Sequence, residues 1–219
     1  DSTLEPVAQE QEIEFILSTA RQYLAKAPTR DDILSVFVGI RPLVKAGGAE
    51  NTAALSRDHT IHIDQSGLLT ITGGKWTTYR RMAEDCVDQA AMLARLPEHD
   101  CVTKNLNIHG YHQHAEKFGH LWVHGSDAPE VASLGGTRLH PDLPYTEGEV
   151  IWATREEMAR TVEDVLSRRT RALFLNARAA LDMAPAVAAL MARELGLDEK
   201  WQNQQLESFK ELTRSYICC

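Results

Sequence analysis

Several patterns that define large protein classes are absent from this 219-residue sequence. Lysine and arginine number 23 against 31 aspartates and glutamates, so a net charge of −8 leaves no basic excess for a broad nucleic-acid surface. No apolar run approaches the roughly 18–20 residues of a membrane-spanning helix. The four cysteines show neither CxxC pairs nor zinc-ligand spacing, which is typical of reduced thiols. The 43% hydrophobic content is that of an ordinary globular protein.

Two glycine-rich nucleotide-binding signatures are missing as well. GxGxxG occurs nowhere in the chain. The Gly74-Lys75 pair is not part of a Walker A loop, because Leu69 stands where that motif needs its first glycine and Trp76 stands where it needs serine or threonine. Any phosphate or nucleotide site in this chain must therefore be built differently.

The most informative stretch runs from Leu68 to Arg81 and reads LLTITGGKWTTYRR. Its β-branched start predicts a strand that ends at Gly73 and Gly74, and the residues from Tyr79 to Leu96 predict a helix capped by Thr77 or Thr78. A glycine turn between a strand and a helix N-terminus presents free N–H groups to an anionic or electron-rich ligand. The same arrangement also occurs as a plain connection, so the pattern alone leaves both interpretations open.

Along the chain, the sequence predicts an α/β region followed by an all-α domain. Helical spacing of apolar residues predicts a helix over 9–27, and strand candidates cover 33–40, 60–64 and 68–72. From residue 111 onward the pattern predicts only helices, among them 113–124, 129–134, 150–161, 176–195 and one from 199 to about 216. We predict domains at 1–97 and 111–219, joined by a linker over 98–110.

Three motifs in this order resemble the FAD-dependent, quinone-linked sn-glycerol-3-phosphate dehydrogenases. They are FVGIRPL from Phe37 to Leu43, SRDHT from Ser56 to Thr60, and ITGGKWTTYR from Ile71 to Arg80. The helical region resembles the C-terminal domain of the same family. The resemblance implies that residues 1–97 are a truncated part of an FAD-binding and substrate domain. Because the family opens with a GxGxxG turn, we expect this chain to be the C-terminal part of a longer polypeptide.

The resemblance also assigns roles to particular residues. It implies that Arg57 binds the substrate phosphate, and that Arg41 lies near the phosphate or the reacting C2 oxygen as a substrate-binding and catalytic residue. It places Lys75 at the substrate and the flavin. The flavin would lie along the segment Gly73, Gly74, Lys75, Trp76 and Thr77. From the residues alone, each arginine could instead pair with a nearby acid such as Asp58.

The activity implied by the resemblance is oxidation of sn-glycerol 3-phosphate to dihydroxyacetone phosphate by hydride transfer to FAD, with electrons passed to quinone. It assigns FAD to the full-length parent, and we expect this chain alone to be inactive. A cytoplasmic protein held peripherally on the inner face of a bacterial cytoplasmic membrane, and a homodimer, are further expectations. No nucleic-acid partner is expected.

Two other functions are compatible with the sequence. One is a glycerol-3-phosphate oxidase that delivers electrons to O2, and the other is a non-catalytic helical module for interaction or oligomerisation. Five histidines fall between His109 and His124, but no HExxH-like pattern or cysteine completes a metal site. We therefore predict no metal and interpret these histidines as surface or interface residues.

Overall fold

The computed structural model of the chain describes residues 6–40 and 58–218. These residues form two compact units. The helical unit comprises residues 6–39 and 109–218, and the hairpin unit comprises residue 40 with residues 58–108. The predicted fold class, short strands and covering helices followed by a mainly helical region, is confirmed. The domain limits remain a prediction, and the observed units group the first helix with the C-terminal helices.

Two antiparallel strands form the sheet of the hairpin unit, β1 (His59–Ile63) and β2 (Leu69–Gly73). Isoleucines alternate with polar residues along both strands, which is typical of a half-exposed sheet. The tight turn between the strands is built on Asp64, whose Oδ1 accepts hydrogen bonds from the N–H groups of Ser66 at 2.8 Å and Leu68 at 3.1 Å. Both predicted strands are confirmed within one residue of their expected ends.

Helix α2 (Tyr79–Leu93) follows the second strand. The predicted helix is confirmed but ends three residues early, and the backbone then turns through Arg95 at φ +54°. None of the helix residues is buried, and Val87 and Met92 remain 64% and 75% exposed. A two-stranded hairpin with one helix is too small to bury a full apolar face.

The chain begins, in its described part, with helix α1 (Glu10–Tyr23) and a single 3-10 turn, Arg30–Asp32. Asp32 Oδ2 caps this turn by accepting hydrogen bonds from the N–H and the hydroxyl of Thr29 at 2.8 and 2.9 Å. The strand predicted over 33–40 is wrong. These residues run without helix, turn or bend, but they pair with no other strand in the described part of the chain. Their β-branched composition favours an extended backbone, but a β-strand also needs a second strand to pair with.

The helical region opens with a 3-10 run, Ala115–Asp127, followed by helix α3 (Ala128–Leu134). The run is interrupted at Gly119 and Gly125, where φ is +59° and +53°. At Gly125 the chain passes against Gly110, because the N–H of the next residue, Ser126, donates to the Gly110 carbonyl at 3.0 Å. These backbone contacts replace the regular helix predicted for 113–124.

A short hairpin that the sequence did not predict connects α3 to the next helix. It consists of β3 (Arg138–His140) and β4 (Leu143–Thr146), and helix α4 (Glu147–Arg155) follows directly. Glu149 is 3% exposed, and its Oε2 accepts a hydrogen bond from the N–H of Thr146 at 2.8 Å. This reciprocal cap fixes the start of α4 at Glu147, three residues before the predicted start at residue 150.

The core of the helical unit surrounds helix α6 (Ala177–Leu195). Small alanine side chains on one face let its neighbours α5 (Ala172–Leu175) and α7 (Glu199–Thr213) approach closely. Pro185 lies on the exposed side of α6, where water can satisfy the carbonyl that loses its partner. The buried residues of α6 that form this core are Ala177, Ala179, Ala180, Met183, Ala184, Val187, Ala188, Leu190 and Met191. No helix in the described ranges is both long and apolar enough to cross a membrane.

Between α4 and α5 lies a π-helix, Asp164–Arg169, beyond the helix predicted for 150–161. Asp164 lies at its start and accepts hydrogen bonds from the N–H groups of Arg160 and Thr161, both at 2.9 Å, and from Arg168 Nε at 2.8 Å. Burial raises the pKa of Asp164, but these hydrogen bonds outweigh it and hold the pKa at about 2. The ionised carboxylate therefore stabilises this part of the folded state.

Asp164→Asn is expected to lower the free energy of unfolding by about 1–2 kcal/mol at neutral pH. The drop of the pKa from 3.8 to about 2 corresponds to a larger value, which is reduced here because the side chain is 20% exposed. The folded-state pKa is depressed, so the stabilisation is present above about pH 4 and is lost as pH falls through about 2. Urea unfolding of the chain and the variant at several pH values measures the difference.

Glu163→Gln is the matched control, because Glu163 is 41% exposed and pairs only with Arg168 among these groups. We expect it to change the unfolding free energy by less than about 0.5 kcal/mol. A difference between chain and Asp164→Asn that stays constant down to about pH 2 would show that the carboxylate charge is not the cause.

Candidate functional site

The candidate site is the turn that joins β2 to α2. Gly73 and Gly74 both have positive φ angles, +77° and +80°, a conformation that costs other residues roughly 1–2 kcal/mol. The strand register places Gly73 opposite His59, so the hairpin fixes where the turn begins. The two glycines reverse the chain and bring Lys75 to the start of a 3-10 turn.

Gly74 also makes a close internal contact. A Cβ at this position would overlap Met82 Sδ and would lie 2.8 Å from Met82 Cε and 3.4 Å from His59 Cβ. The resemblance described above explains the lack of a side chain at Gly74 by the close approach of a flavin. The structure adds a second reason inside the chain, because α2 packs a methionine against the same position.

The 3-10 turn Trp76–Thr78 precedes α2 and is capped from within. The Thr78 hydroxyl donates to the Lys75 carbonyl at 2.9 Å and accepts from the Lys75 N–H at 3.2 Å. Of the two threonines predicted as caps, Thr78 therefore has this contact. The N–H groups of Trp76 and Thr77 have no hydrogen-bond acceptor within the described residues, so both are available to a bound group.

Two side chains of the turn are exposed to solvent. Lys75 makes no ion pair with any described residue. Trp76 is 86% exposed, and its ring stacks on Tyr79 with centroids 5.6 Å apart and planes 28° apart. The turn thus presents a free positive charge beside an aromatic surface, which suits a planar, electron-rich or anionic ligand.

The charges that follow on α2 are paired. Arg80 Nη1 lies 2.7 Å from Glu84 Oε2, and Arg81 contacts both Glu84 and Asp85 at 3.1 and 3.0 Å. The hydrogen bond from Arg80 is the main reason that the pKa of Glu84 is lowered. The second oxygen of Asp85 lies 3.0 Å from His59 Nε2. Lys75 therefore differs from the arginines of the same motif, whose charges are already neutralised.

The remaining predicted site residues, Arg41 and Arg57, lie outside the described residues. The five residues from Gly73 to Thr77 are together because they are consecutive in one turn. The sequence analysis missed Met82 and the His59–Asp85 pair. A spacing of three to four residues on α2 places Met82 and Asp85 on one face, which was the available signal.

The clustered histidines do not converge on one point in the described part of the chain. His109 Nε2 lies 2.8 Å from Asp127 Oδ2, and His124 Nε2 lies 3.6 Å from Glu149 Oε1. Within residues 6–40 and 58–218, no group of three or more potential ligand side chains is placed to hold a metal ion. His109 and His124 instead each contact an acidic residue, Asp127 and Glu149.

Similarity to a solved structure supports this fold. The glycerol-3-phosphate dehydrogenase of Bacillus halodurans, determined in complex with FAD, matches with a TM-score of 0.75 and 23% sequence identity. The match covers all of this chain and 47% of that protein. At this identity the likeness establishes the common fold.

Curated relatives are mitochondrial proteins. A probable glycerol-3-phosphate dehydrogenase of Caenorhabditis elegans is 39% identical over 94% of this chain, and the human glycerol-3-phosphate dehydrogenase is 37% identical over 96%. The chain spans about a third of their length, 32% and 33%. The sequence profile of one family, described as the C-terminal domain of alpha-glycerophosphate oxidase, matches residues 69–202, which include the candidate site from Gly73 onward. The chain therefore belongs to the family of that C-terminal domain.

Proposed function

We propose that this chain is the C-terminal part of an FAD-dependent sn-glycerol-3-phosphate dehydrogenase. The active protein would be a polypeptide of the relatives' length that contains this chain, called here the longer polypeptide. The reaction removes a hydride from C2 of the substrate and a proton from its hydroxyl, which gives dihydroxyacetone phosphate. The names of the relatives and the family match support this assignment.

One observation carries the proposal at the level of the site. Lys75 is exposed, makes no ion pair with any described residue and lies beside two glycines with positive φ, within the part of the chain that the family profile matches. A solvent-exposed lysine without an acid partner contributes little to folding, whereas a charge beside a bare backbone can bind an anion or an electron-rich ring. The N–H groups of Trp76 and Thr77, which have no acceptor among the described residues, could donate hydrogen bonds to the same ligand.

The residues present fit a flavin in these respects. When bound, FAD would accept the hydride from the substrate. Gly73, Gly74, Trp76 and Thr77 would line one wall of its pocket, and the positive charge of Lys75 would stabilise negative charge that develops there. Arg57 would bind the substrate phosphate through its planar guanidinium, and Arg41 would hold the phosphate or polarise the C2 oxygen.

Lys75→Ala tests this role directly. We expect kcat/KM of the longer polypeptide for glycerol 3-phosphate to fall about 30- to 150-fold, since a lost charge-assisted contact is worth roughly 2–3 kcal/mol. The thermal unfolding temperature should stay the same, because Lys75 has no ion pair to lose within the described residues. Steady-state kinetics and a melting curve on the same preparation give both values.

Lys104→Ala is the matched control, since Lys104 is also an exposed lysine of the hairpin unit. It should leave both kcat/KM and the melting temperature unchanged. Equal kinetics for Lys75→Ala and the unsubstituted protein would remove Lys75 from the site.

The electron acceptor is proposed to be a quinone. The relatives are named dehydrogenases, whereas the family profile is named after an oxidase, which keeps an O2-reducing enzyme as the second candidate. Turnover of the longer polypeptide with O2 and with a soluble quinone analogue separates the two. Faster turnover with the quinone analogue supports the dehydrogenase, and equal or faster turnover with O2 supports the oxidase.

Peripheral membrane contact belongs to the same proposal, because quinones are membrane lipids. We further propose a homodimer. Flotation of the longer polypeptide with lipid vesicles tests the first point, and sedimentation equilibrium tests the second. A protein that stays at the bottom of the gradient, or sediments as a monomer, would contradict the respective point.

A further inference from the structure

A side-chain contact joins strand β1 to helix α2. His59 Nε2 lies 3.0 Å from Asp85 Oδ2, and the two side chains are 21% and 24% exposed. The other oxygen of Asp85 lies 3.0 Å from Arg81 Nη2, so its charge is shared between the histidine and a neighbouring residue of α2. A carboxylate that accepts the Nε2–H of a histidine fixes the orientation of the ring.

This contact spans a cleft between the two elements. A cavity of about 300 Å³ lies there, lined by His59 and Ile61 of β1 and by Asp85, Asp88 and Gln89 of α2. Every residue of α2 remains partly exposed. Apolar packing therefore contributes little to the position of this side of the helix, and a hydrogen bond across the cleft has a correspondingly larger share.

The bonded pair closes a ring of contacts around the turn between β2 and α2. The strand register pairs His59 with Gly73, the turn leads from Gly73 into α2, and Asp85 on α2 returns to His59. The histidine also lies against the turn itself, since a Cβ built at Gly74 would lie 3.4 Å from His59 Cβ. The direction in which the turn projects Lys75 therefore depends on this bond.

We propose that His59 and Asp85 are positioning residues, whose hydrogen bond holds the turn so that Lys75 places its charge at the flavin. This inference rests on the proposed function, which assigns the flavin to this turn. Neither residue needs to touch the flavin or the substrate. Both act through Lys75, whose positive charge would favour the reduced, more negative flavin.

A direct electrostatic role of His59 is the competing explanation. A charged imidazole near the flavin would stabilise negative charge without help from Lys75. The geometry favours positioning, because Nε2 is directed at a carboxylate on α2, and the charge of Asp85 would cancel most of a positive charge on the ring. The two explanations differ in how substitutions at His59 and Lys75 combine.

The position of α2 can be tested in this chain without flavin. A Cβ at Gly74 would lie 2.8 Å from Met82 Cε, so a nuclear Overhauser contact between the Met82 methyl group and the Gly74 α-protons reports how closely the helix approaches the turn. His59→Ala should abolish this contact, and Asp85→Ala should have the same effect, because either substitution removes the hydrogen bond that holds α2.

A double-mutant cycle in the flavin-loaded longer polypeptide tests the action through Lys75. Lys75→Ala should lower the midpoint potential of the flavin, because the reduced form loses a stabilising charge. His59→Ala should shift the two-electron reduction equilibrium about tenfold in the same direction, which is about 30 mV. Added to Lys75→Ala, it should cause no further shift, since the displaced turn no longer carries the charge. Reductive titration with a reference dye measures these potentials without substrate.

Conservative and matched variants separate the bond from general stability. His59→Gln should keep the potential of the unsubstituted protein, since its amide can still donate a hydrogen bond to Asp85. His62→Ala and Asp88→Ala are the matched controls, at exposed positions of β1 and α2. Both should leave the potential and the contact of the Met82 methyl group unchanged.

Two results would overturn the proposal. Additive shifts of the potential in the double variant would mean that His59 acts on the flavin independently of Lys75. A contact between Met82 and Gly74 that survives both His59→Ala and Asp85→Ala would mean that the bond does not position the helix. Neither readout uses substrate, so a flavin-loaded longer polypeptide that does not oxidise glycerol 3-phosphate would refute the proposed function alone.

Discussion

Gly74→Val is expected to deprive the longer polypeptide of its flavin. A β-branched residue at φ +80° costs more than roughly 1–2 kcal/mol, and the new side chain would also force the flexible end of Met82 out of its place beside the turn. Either cost displaces the turn that carries Lys75, Trp76 and Thr77. Each 1.4 kcal/mol of flavin contact that the displaced turn loses weakens the affinity about tenfold, so flavin content after dialysis should fall well below that of the unsubstituted protein.

Gly67→Val separates strain from position. Gly67 has a similar φ of +87° in the same hairpin unit, but a Cβ there would meet no atom within 4 Å. This variant should retain its flavin, as measured by the absorbance of flavin released from the denatured protein. Full flavin occupancy in Gly74→Val would contradict the placement of the flavin at this turn.

The second large effect is expected in the helical unit. Gly125→Ala should lower the free energy of unfolding by roughly 3–5 kcal/mol, because the new Cβ would overlap the Gly110 carbonyl oxygen at a backbone φ of +53°. The obstacle is backbone, so it cannot rotate away as a flexible side chain would. The Ser126–Gly110 hydrogen bond should be lost together with the contact.

Gly119→Ala is the matched control for this prediction. Gly119 lies in the same 3-10 run at φ +59°, but nothing lies within 4 Å of its Cβ position. It should cost only about 1–2 kcal/mol, the strain of the left-handed backbone alone. Urea unfolding of the two variants, followed by circular dichroism, measures both free energies of unfolding. Equal decreases for Gly125→Ala and Gly119→Ala would show that the close contact between Gly110 and Gly125 does not contribute to the effect.

Local patterns predicted those parts of the fold that local interactions decide. Strand alternation identified the two strands of the first hairpin, and helical spacing of apolar residues identified the two long C-terminal helices. Asn176 Oδ1 accepts from the N–H of Ala179 at 3.1 Å, which fixes the start of α6. Such signals need no knowledge of the rest of the chain.

Features that depend on distant partners were not predictable in this way. Residues 33–39 have the composition of a strand, but the N–H and C=O groups on one edge bond to Ala177 and Tyr216 instead of a sheet. The β3–β4 hairpin is local, since Arg138 donates to the Leu143 carbonyl at 2.8 Å, but its strands of 3 and 4 residues are too short to show an alternating pattern.

The candidate site shows the same division. The motif predicted that the residues from Gly73 to Thr77 form a turn before a helix, and the structure confirms that turn. It did not predict that Met82 fills the space above Gly74, because that contact depends on how α2 packs on the hairpin. The roles of these residues at the flavin remain proposals.

Anaerobic mixing of the flavin-loaded longer polypeptide with sn-glycerol 3-phosphate tests the central claim most directly. We predict that the visible absorbance of the oxidised flavin is bleached, with one dihydroxyacetone phosphate formed for each flavin reduced. The Lys75→Ala variant should be bleached more slowly at the same substrate concentration. Unchanged flavin absorbance, with no product formed, would contradict the assignment of this chain to a glycerol-3-phosphate-oxidising flavoenzyme.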